Sequence, residues 1–246
     1  LLLFQIVSSC ALAALLIFVP MGGSYREVFE AAMVCLICPT ATAAAVITGK
    51  LGGSASSLTT YTLLSNILAA VAVPLIFPLV EPHTDVTFFT AFLKILSKVF
   101  PLLLFPFFLA LFFRYCLPKI HHFLLGFHDL AFYMWGMALA IVTAQTLKSL
   151  AHSTIPVEVE ILIALAGFVT CALQFFLGKR IGTIYKDRIS AGQALGQKNT
   201  VLAIWMSYTY LDPVSSVGPG SYVLWQNIFN SWQLWKKRKK ELNENK

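Results

Sequence analysis

The chain has 246 residues, 58% of them hydrophobic and 12% charged, with a net charge of +7 and a mean hydropathy of +0.76. A soluble domain carries roughly 25% charged residues, so this composition excludes a soluble enzyme and points to a polytopic, all-α membrane protein forming one membrane domain over 1–246. The basic residues form no single patch; they sit in turns between apolar segments and in the tail Lys236-Lys237-Arg238-Lys239-Lys240, which argues for a cytoplasmic anchor over 236–246 and against a nucleic-acid partner.

At roughly 20 apolar residues per crossing, eight spans emerge in chain order, near 1–20, 28–49, 55–80, 87–113, 127–149, 157–178, 189–211 and 217–235. The first opens on Leu1-Leu2-Leu3-Phe4, already inside an apolar segment, which predicts helices preceding it, and it carries Gln5. The second holds Cys35 and Cys38, a lone CxxC read as packing, and is interrupted at Cys38-Pro39-Thr40-Ala41-Thr42-Ala43-Ala44-Ala45. The third places Thr62, Ser65 and Asn66 on one helical face. The fourth carries Lys94 and Lys98 near its start, which indicates a slanted or interfacial entry, followed by lipid-facing phenylalanines from Phe105 to Phe113. The seventh is interrupted at Gly192-Gln193-Ala194-Leu195-Gly196-Gln197-Lys198-Asn199-Thr200. Gln174, Asn227 and Asn230 are read as hydrogen-bonding partners between helices.

With the tail placed inside, the inner joints hold Lys50, Arg114, Lys119, Lys179, Arg180, Lys186 and Arg188. The outer joints hold Arg26 and Lys148 with Glu27, Glu30, Glu81, Asp85, Glu158, Glu160 and Asp212. This is the positive-inside asymmetry. The two interrupted spans run in opposite senses, five spans apart, as a five-helix unit repeated upside down would place them; such a repeat needs ten spans. Broken helices at membrane depth must face protein or a water-filled cavity, and a pair of them is the sequence mark of a transporter's substrate site.

The run Cys38-Pro39-Thr40-Ala41-Thr42-Ala43-Ala44-Ala45-Val46 resembles the "CPGGTASNV" crossover motif of the bile acid:sodium symporter family, and Gly196-Gln197-Lys198-Asn199-Thr200-Val201-Leu202-Ala203 resembles its second crossover, "GMQNSGLA". Gln5 matches a glutamine of the family's third helix, and Val223-Leu224-Trp225-Gln226-Asn227-Ile228-Phe229-Asn230-Ser231 is similar to its last, "VWHNLSGS". The resemblance implies ten helices in two inverted five-helix repeats with two broken, crossing helices (here about 28–49 and 189–211), this chain supplying helices three to ten. It implies a substrate site at the crossing built from Thr40, Thr42, Ala44, Ala45, Gln193, Gln197, Lys198, Asn199 and Thr200.

The departures are informative. The positions that the resemblance assigns to sodium ligands hold Ala44, Ala45, Ala194 and Lys198, leaving Gln5, Thr62 and backbone carbonyls as possible ligands. No intact metal site and no cofactor are expected. Lys198 carries the charge of one sodium ion and three donors, so it is read as a tethered surrogate for sodium that also favours an anionic substrate. Because desolvation penalises its charged form, proton coupling or uncoupled movement is expected in place of sodium coupling. The reading is a secondary transporter of a small organic anion in a bacterial inner membrane, with a cytoplasmic C-terminus and an oligomeric state left open, a monomer being favoured. The alternatives are a sodium-coupled symporter of bile acid type and a transport-dead or receptor-like scaffold. An enzyme is not expected, since HExxH, Gly-x-Ser-x-Gly and a phosphate-binding glycine loop are all missing from the sequence.

Overall fold

The computed structural model describes the chain except residues 83–85, 128, 129, 152–155, 245 and 246, and gives the helix path alone at 24, 131, 132, 135, 139, 142, 145–147 and 149–151. Asp85, read above as an outer acid, lies outside the described residues. The described elements are helical: α1 (Leu2–Phe18), α2 (Gly23–Ile37), α3 (Ala44–Leu51), α4 (Ala55–Val80), α5 (Phe88–Cys116), α6 (Pro118–Leu125), α7 (Leu130–Ala151), α8 (Val157–Ile184), α9 (Arg188–Gly196), α10 (Thr200–Tyr210) and α11 (Val217–Glu244), with a 3₁₀ turn at Pro213–Ser216. By length and composition, α4, α5 and α8 can each cross a membrane. The interruptions expected near 38–45 and 192–200 appear as gaps between α2 and α3 and between α9 and α10.

Several boundaries differ from expectation, among them the start of α2 at Gly23 and the end of α8 at Ile184. Residues 118–125, read as part of a joint, form α6, which starts on Pro118 where the missing amide hydrogen is harmless. The basic tail continues α11 as helix to Glu244, because lysines and glutamates are good helix formers and pair four residues apart, Lys237 with Glu241 at 3.4 Å and Lys240 with Glu244 at 3.5 Å.

The largest apolar cluster joins five helices through Leu16, Val34, Phe77, Val99 and Met206, from α1, α2, α4, α5 and α10. α8 packs along α9 at close range. Gly178 and Gly182, four apart on α8, make this approach possible: a Cβ on Gly182 would lie 2.5 Å from the Asp187 oxygen and the Ala191 Cβ, and one on Gly178 would overlap the Ala191 carbonyl.

Residues read as outer meet at one end of the molecule. Arg26 pairs with Glu30 at 3.0 Å and Glu81 at 2.9 Å, and donates to the Leu16 and Val80 carbonyls that end α1 and α4. Residues read as inner meet at the other. The Ser54 amide donates to Ser190 Oγ at 2.8 Å, and Lys237 Nζ donates to the Lys50 carbonyl at 2.8 Å, beside the left-handed Gly52 that closes α3. Glu30 is 1% exposed and its second oxygen has no hydrogen-bond partner among the described residues, so Arg26, which it shares with Glu81, is the cation beside its charge. Arg26→Ala is expected to lower stability by about 3 kcal/mol, the low end for stranding a buried charge because Arg26 itself is partly solvated. Adding Glu30→Gln to Arg26→Ala recovers most of that loss, as read by thermal unfolding in detergent. Equal unfolding temperatures for the single and double variants would refute this account.

Candidate functional site

The two gaps are where the chain crosses itself. Proline has no amide hydrogen and drives the residue before it out of the helical region; Cys38 accordingly ends α2 at φ −56°, ψ 136°. α9 ends at Gly196, and Gln197 follows in extended geometry at φ −97°, ψ 99°. The two extended pieces pair as an antiparallel bridge centred on Thr40 and Lys198. The Ala41 amide donates to the Gln197 carbonyl at 3.0 Å, and the Asn199 amide to the Pro39 carbonyl at 2.9 Å. Groups that lipid would leave unsatisfied are paired with each other.

Side chains from the surrounding helices take up further groups. On the first break, the Gln5 amide nitrogen donates to the Ile37 and Cys38 carbonyls at 3.0 and 3.1 Å, and Gln174 donates to the Cys35 carbonyl at 3.2 Å. The Thr40 amide donates to Ser65 Oγ at 3.1 Å, and Thr40 Oγ1 donates to the Ala194 carbonyl at 2.6 Å, tying one break to the other. On the second break, one face of α11 does this work. Tyr222 OH donates to the Gly196 carbonyl at 2.7 Å, Gln226 Oε1 accepts from the Lys198 amide at 3.0 Å, and Asn230 Oδ1 accepts from Gln193 at 3.0 Å. Asn199 caps α10, its side-chain oxygen accepting from the Leu202 amide at 3.3 Å.

Lys198 is 1% exposed, among the largest side chains so deeply buried. Its Nζ donates to the Leu36 carbonyl at 3.3 Å. That oxygen belongs to the last turn of α2, the negative end of a half-helix, where a cation is favoured. The ammonium is therefore engaged with the first break, and its positive charge reaches the neighbouring space as a field.

That space is a cavity of about 400 Å³. Thr42, Gln197, Lys198, Asn199 and Thr200, all predicted from the sequence, line it. α11 adds Gln226 and Asn227, and α7 adds Met134 and Ala138. The N-termini of α3 and α10 both border it, through Ala43 and Asn199, and no carboxylate is among its described lining. Two positive half-helix ends and no fixed negative charge favour an anion.

The other predicted residues lie elsewhere. Thr40 and Gln193 are buried and hydrogen-bonded as above, away from the cavity lining. Ala44 and Ala194 form a small apolar cluster with Leu58, and Ala45 and Tyr61 pack against it. Thr62 Oγ1 donates to the Leu58 carbonyl of its own helix at 2.9 Å, while Gln5 Oε1 accepts from Tyr61 and Ser65 at 3.3 and 3.4 Å. The positions that the resemblance assigns to sodium side-chain ligands thus hold methyl groups, an ammonium, the Gln5 oxygen, which already accepts two hydrogen bonds, and the Thr62 hydroxyl. Two side-chain oxygens are fewer than a hard cation needs, so any such site would have to draw on backbone carbonyls.

Sequence reasoning missed Tyr222 and Gln226, and read Asn227 only as a link between helices. The signal was the spacing of Tyr222, Gln226 and Asn230, four residues apart on one face of the last helix.

The family model described as "Sodium Bile acid symporter family" matches residues 4–153. The matched stretch contains the first interruption, and the second, with Lys198, lies beyond it. No curated protein matches the chain.

Proposed function

The chain belongs to the Sodium Bile acid symporter family, a family of transporters, and from that premise we propose that it carries a small organic anion across the membrane by alternating access at the crossover, without sodium. The observation that carries this reading is the buried Lys198 ammonium on the Leu36 carbonyl, 3.3 Å away. A positive charge is already attached to the chain at the crossing, and the apolar cluster of Ala44, Leu58 and Ala194 occupies a second position where relatives are expected to hold sodium.

In this mechanism the carboxylate or sulfonate of the substrate enters the 400 Å³ cavity and meets the N-termini of α3 and α10, with Thr42 and Asn227 offering polar contacts beside it. Lys198 holds α2 to the second break and raises the local potential. Its charge is tolerated there because the α2 carbonyl end and the incoming anion both favour it. When the anion leaves, the same desolvated ammonium loses part of that support, which opens a route for proton release. Rocking of the helices around the crossing then exposes the cavity to the other side.

The test is uptake by the full-length protein in lipid vesicles, using taurocholate and a series of smaller carboxylates. Replacing sodium by potassium on both sides is expected to leave uptake unchanged, and acidifying the side of entry to raise it. Uptake that vanishes when sodium is withdrawn would refute the sodium-independent reading, and binding without uptake or exchange under any gradient would favour a scaffold.

A further inference from the structure

Two cavities run on from the crossover towards the outer end, along the face of α10 that meets α5. The first, about 580 Å³, is lined by Asn199 and Val201, which also line the crossover cavity, and by Leu102, Lys98 and Trp205. The second, about 340 Å³, shares Lys98 and Trp205 with the first and adds Lys94, Tyr210 and Glu81. The three spaces therefore abut in series, from the outer joint to the broken helices.

The two lysines on this path call for a reason. They lie six and ten residues beyond the start of α5 at Phe88, roughly 9 and 15 Å along it at 1.5 Å per residue. Four residues apart, they share a face and repel each other. Both side chains are exposed, and a lysine near the start of a membrane segment is tolerated where its ammonium reaches water or the interface. No ion pair to either occurs among the described residues, and the carboxylate that lines the same space, Glu81, shares Arg26 with Glu30, at 2.9 and 3.0 Å. What remains is a lane with two cations along it, neither in an ion pair among the described residues, and a crossover flanked by two half-helix N-termini at its inner end.

We propose that Lys94 and Lys98 form an electrostatic entry lane that draws a carboxylate- or sulfonate-bearing solute from the outer face along α10 to the crossover cavity. This rests on the organic-anion reading above, and its ligand is the head group of the same substrate. Trp205, 38% exposed beside Lys98, offers an apolar surface for the body of an amphipathic anion. The lane acts on the rate of arrival, so its effect is long-ranged and screened by salt.

The test does not depend on knowing the substrate. In the full-length protein, the exposed Cys10 and Cys116 are replaced by serine and Val201→Cys is introduced where the crossover cavity and the lane meet. Vesicles of phosphatidylcholine are treated from outside with an anionic sulfonatoethyl or a cationic trimethylammonioethyl methanethiosulfonate, and the ratio of the two labelling rates is measured. The anionic reagent is expected to be favoured, and Lys94→Gln with Lys98→Gln to lower the ratio about tenfold, at the lower end of electrostatic steering. Glutamate at both positions inverts the preference, and high salt brings all variants together. A ratio indifferent to the two lysines overturns the proposal, as does the assignment of the pair to lipid: phosphatidylglycerol retained by the parent protein and lost from the double glutamine variant, with labelling unchanged. Because no transported solute enters this measurement, failure of the uptake experiment and failure of the lane are separately visible.

Discussion

Lys198→Met is expected to fold and to lose at least tenfold in anion uptake, with or without sodium and at every pH tested. Methionine keeps most of the stem that fills the buried space, so packing is largely preserved. What disappears is the positive charge and the donor to the Leu36 carbonyl. An orphaned buried carbonyl costs about 1–3 kcal/mol, and the favourable placement of a cation at a helix C-terminus is worth up to about 2 kcal/mol. Against these stands the desolvation of the ammonium, which the variant no longer suffers, and replacing a buried charge by an apolar group of similar volume is often nearly neutral. Stability therefore changes little while the potential in the cavity falls. Lys198→Gln separates the two roles: it restores a donor without charge, so it recovers stability more than uptake. Sodium is expected to rescue neither variant, since Gln5 and Thr62 are the only side-chain oxygens at the positions the resemblance assigns to its ligands and Ala44 and Ala194 offer none. Full uptake in both variants would remove Lys198 from the mechanism. Joint loss of folding and uptake in both would leave it a purely structural strut.

Gly178→Ala and Gly182→Ala should each destabilise the protein by about 3 kcal/mol, the upper part of the range for overpacking. The reason is what the new methyl group meets. At Gly178 it is the backbone of Ala191 and Gly192, and at Gly182 the Asp187 oxygen and the Arg188 Cα, 2.5 and 3.0 Å away. Backbone cannot swing aside as a long side chain can, so α9 must move off α8. That displacement shifts Gly196 and with it the start of the second break, so uptake falls together with stability. Gly49→Ala is the control: nothing lies within 4 Å of its added Cβ, and alanine is the better helix former, so stability is unchanged or gains a few tenths of a kcal/mol. Thermal unfolding of the three variants in one detergent decides the matter, and equal loss in all three would show that close packing of α8 on α9 is not the cause.

Much of the crossover was legible in the chain. Pro39 cannot continue a helix and Gly196 and Asn199 are poor helix formers, and polar residues in an apolar environment make such breaks conspicuous. Five of the nine predicted site residues line the cavity. The others lie outside that lining, because position near a break does not say which side of the crossing a side chain takes. Ala44 and Ala45 turn into an apolar cluster, Gln193 towards α11, and Thr40 across to the Ala194 carbonyl. Gln5 was read as an ion-site remnant, whereas its amide nitrogen caps the Ile37 and Cys38 carbonyls.

The amino-acid sequence by itself determined that this is a helical membrane protein with two interrupted segments, because hydropathy, proline and glycine act through local chemistry that needs no partner. Only the tertiary structure decided what the interruptions do. Which carbonyl accepts the Lys198 ammonium, which helix supplies Tyr222 and Gln226, and how Lys94 and Lys98 come to face α10 all depend on contacts between residues far apart in the chain. Hydrogen bonds and fields are set by distance in space, and packing alone brings those groups together.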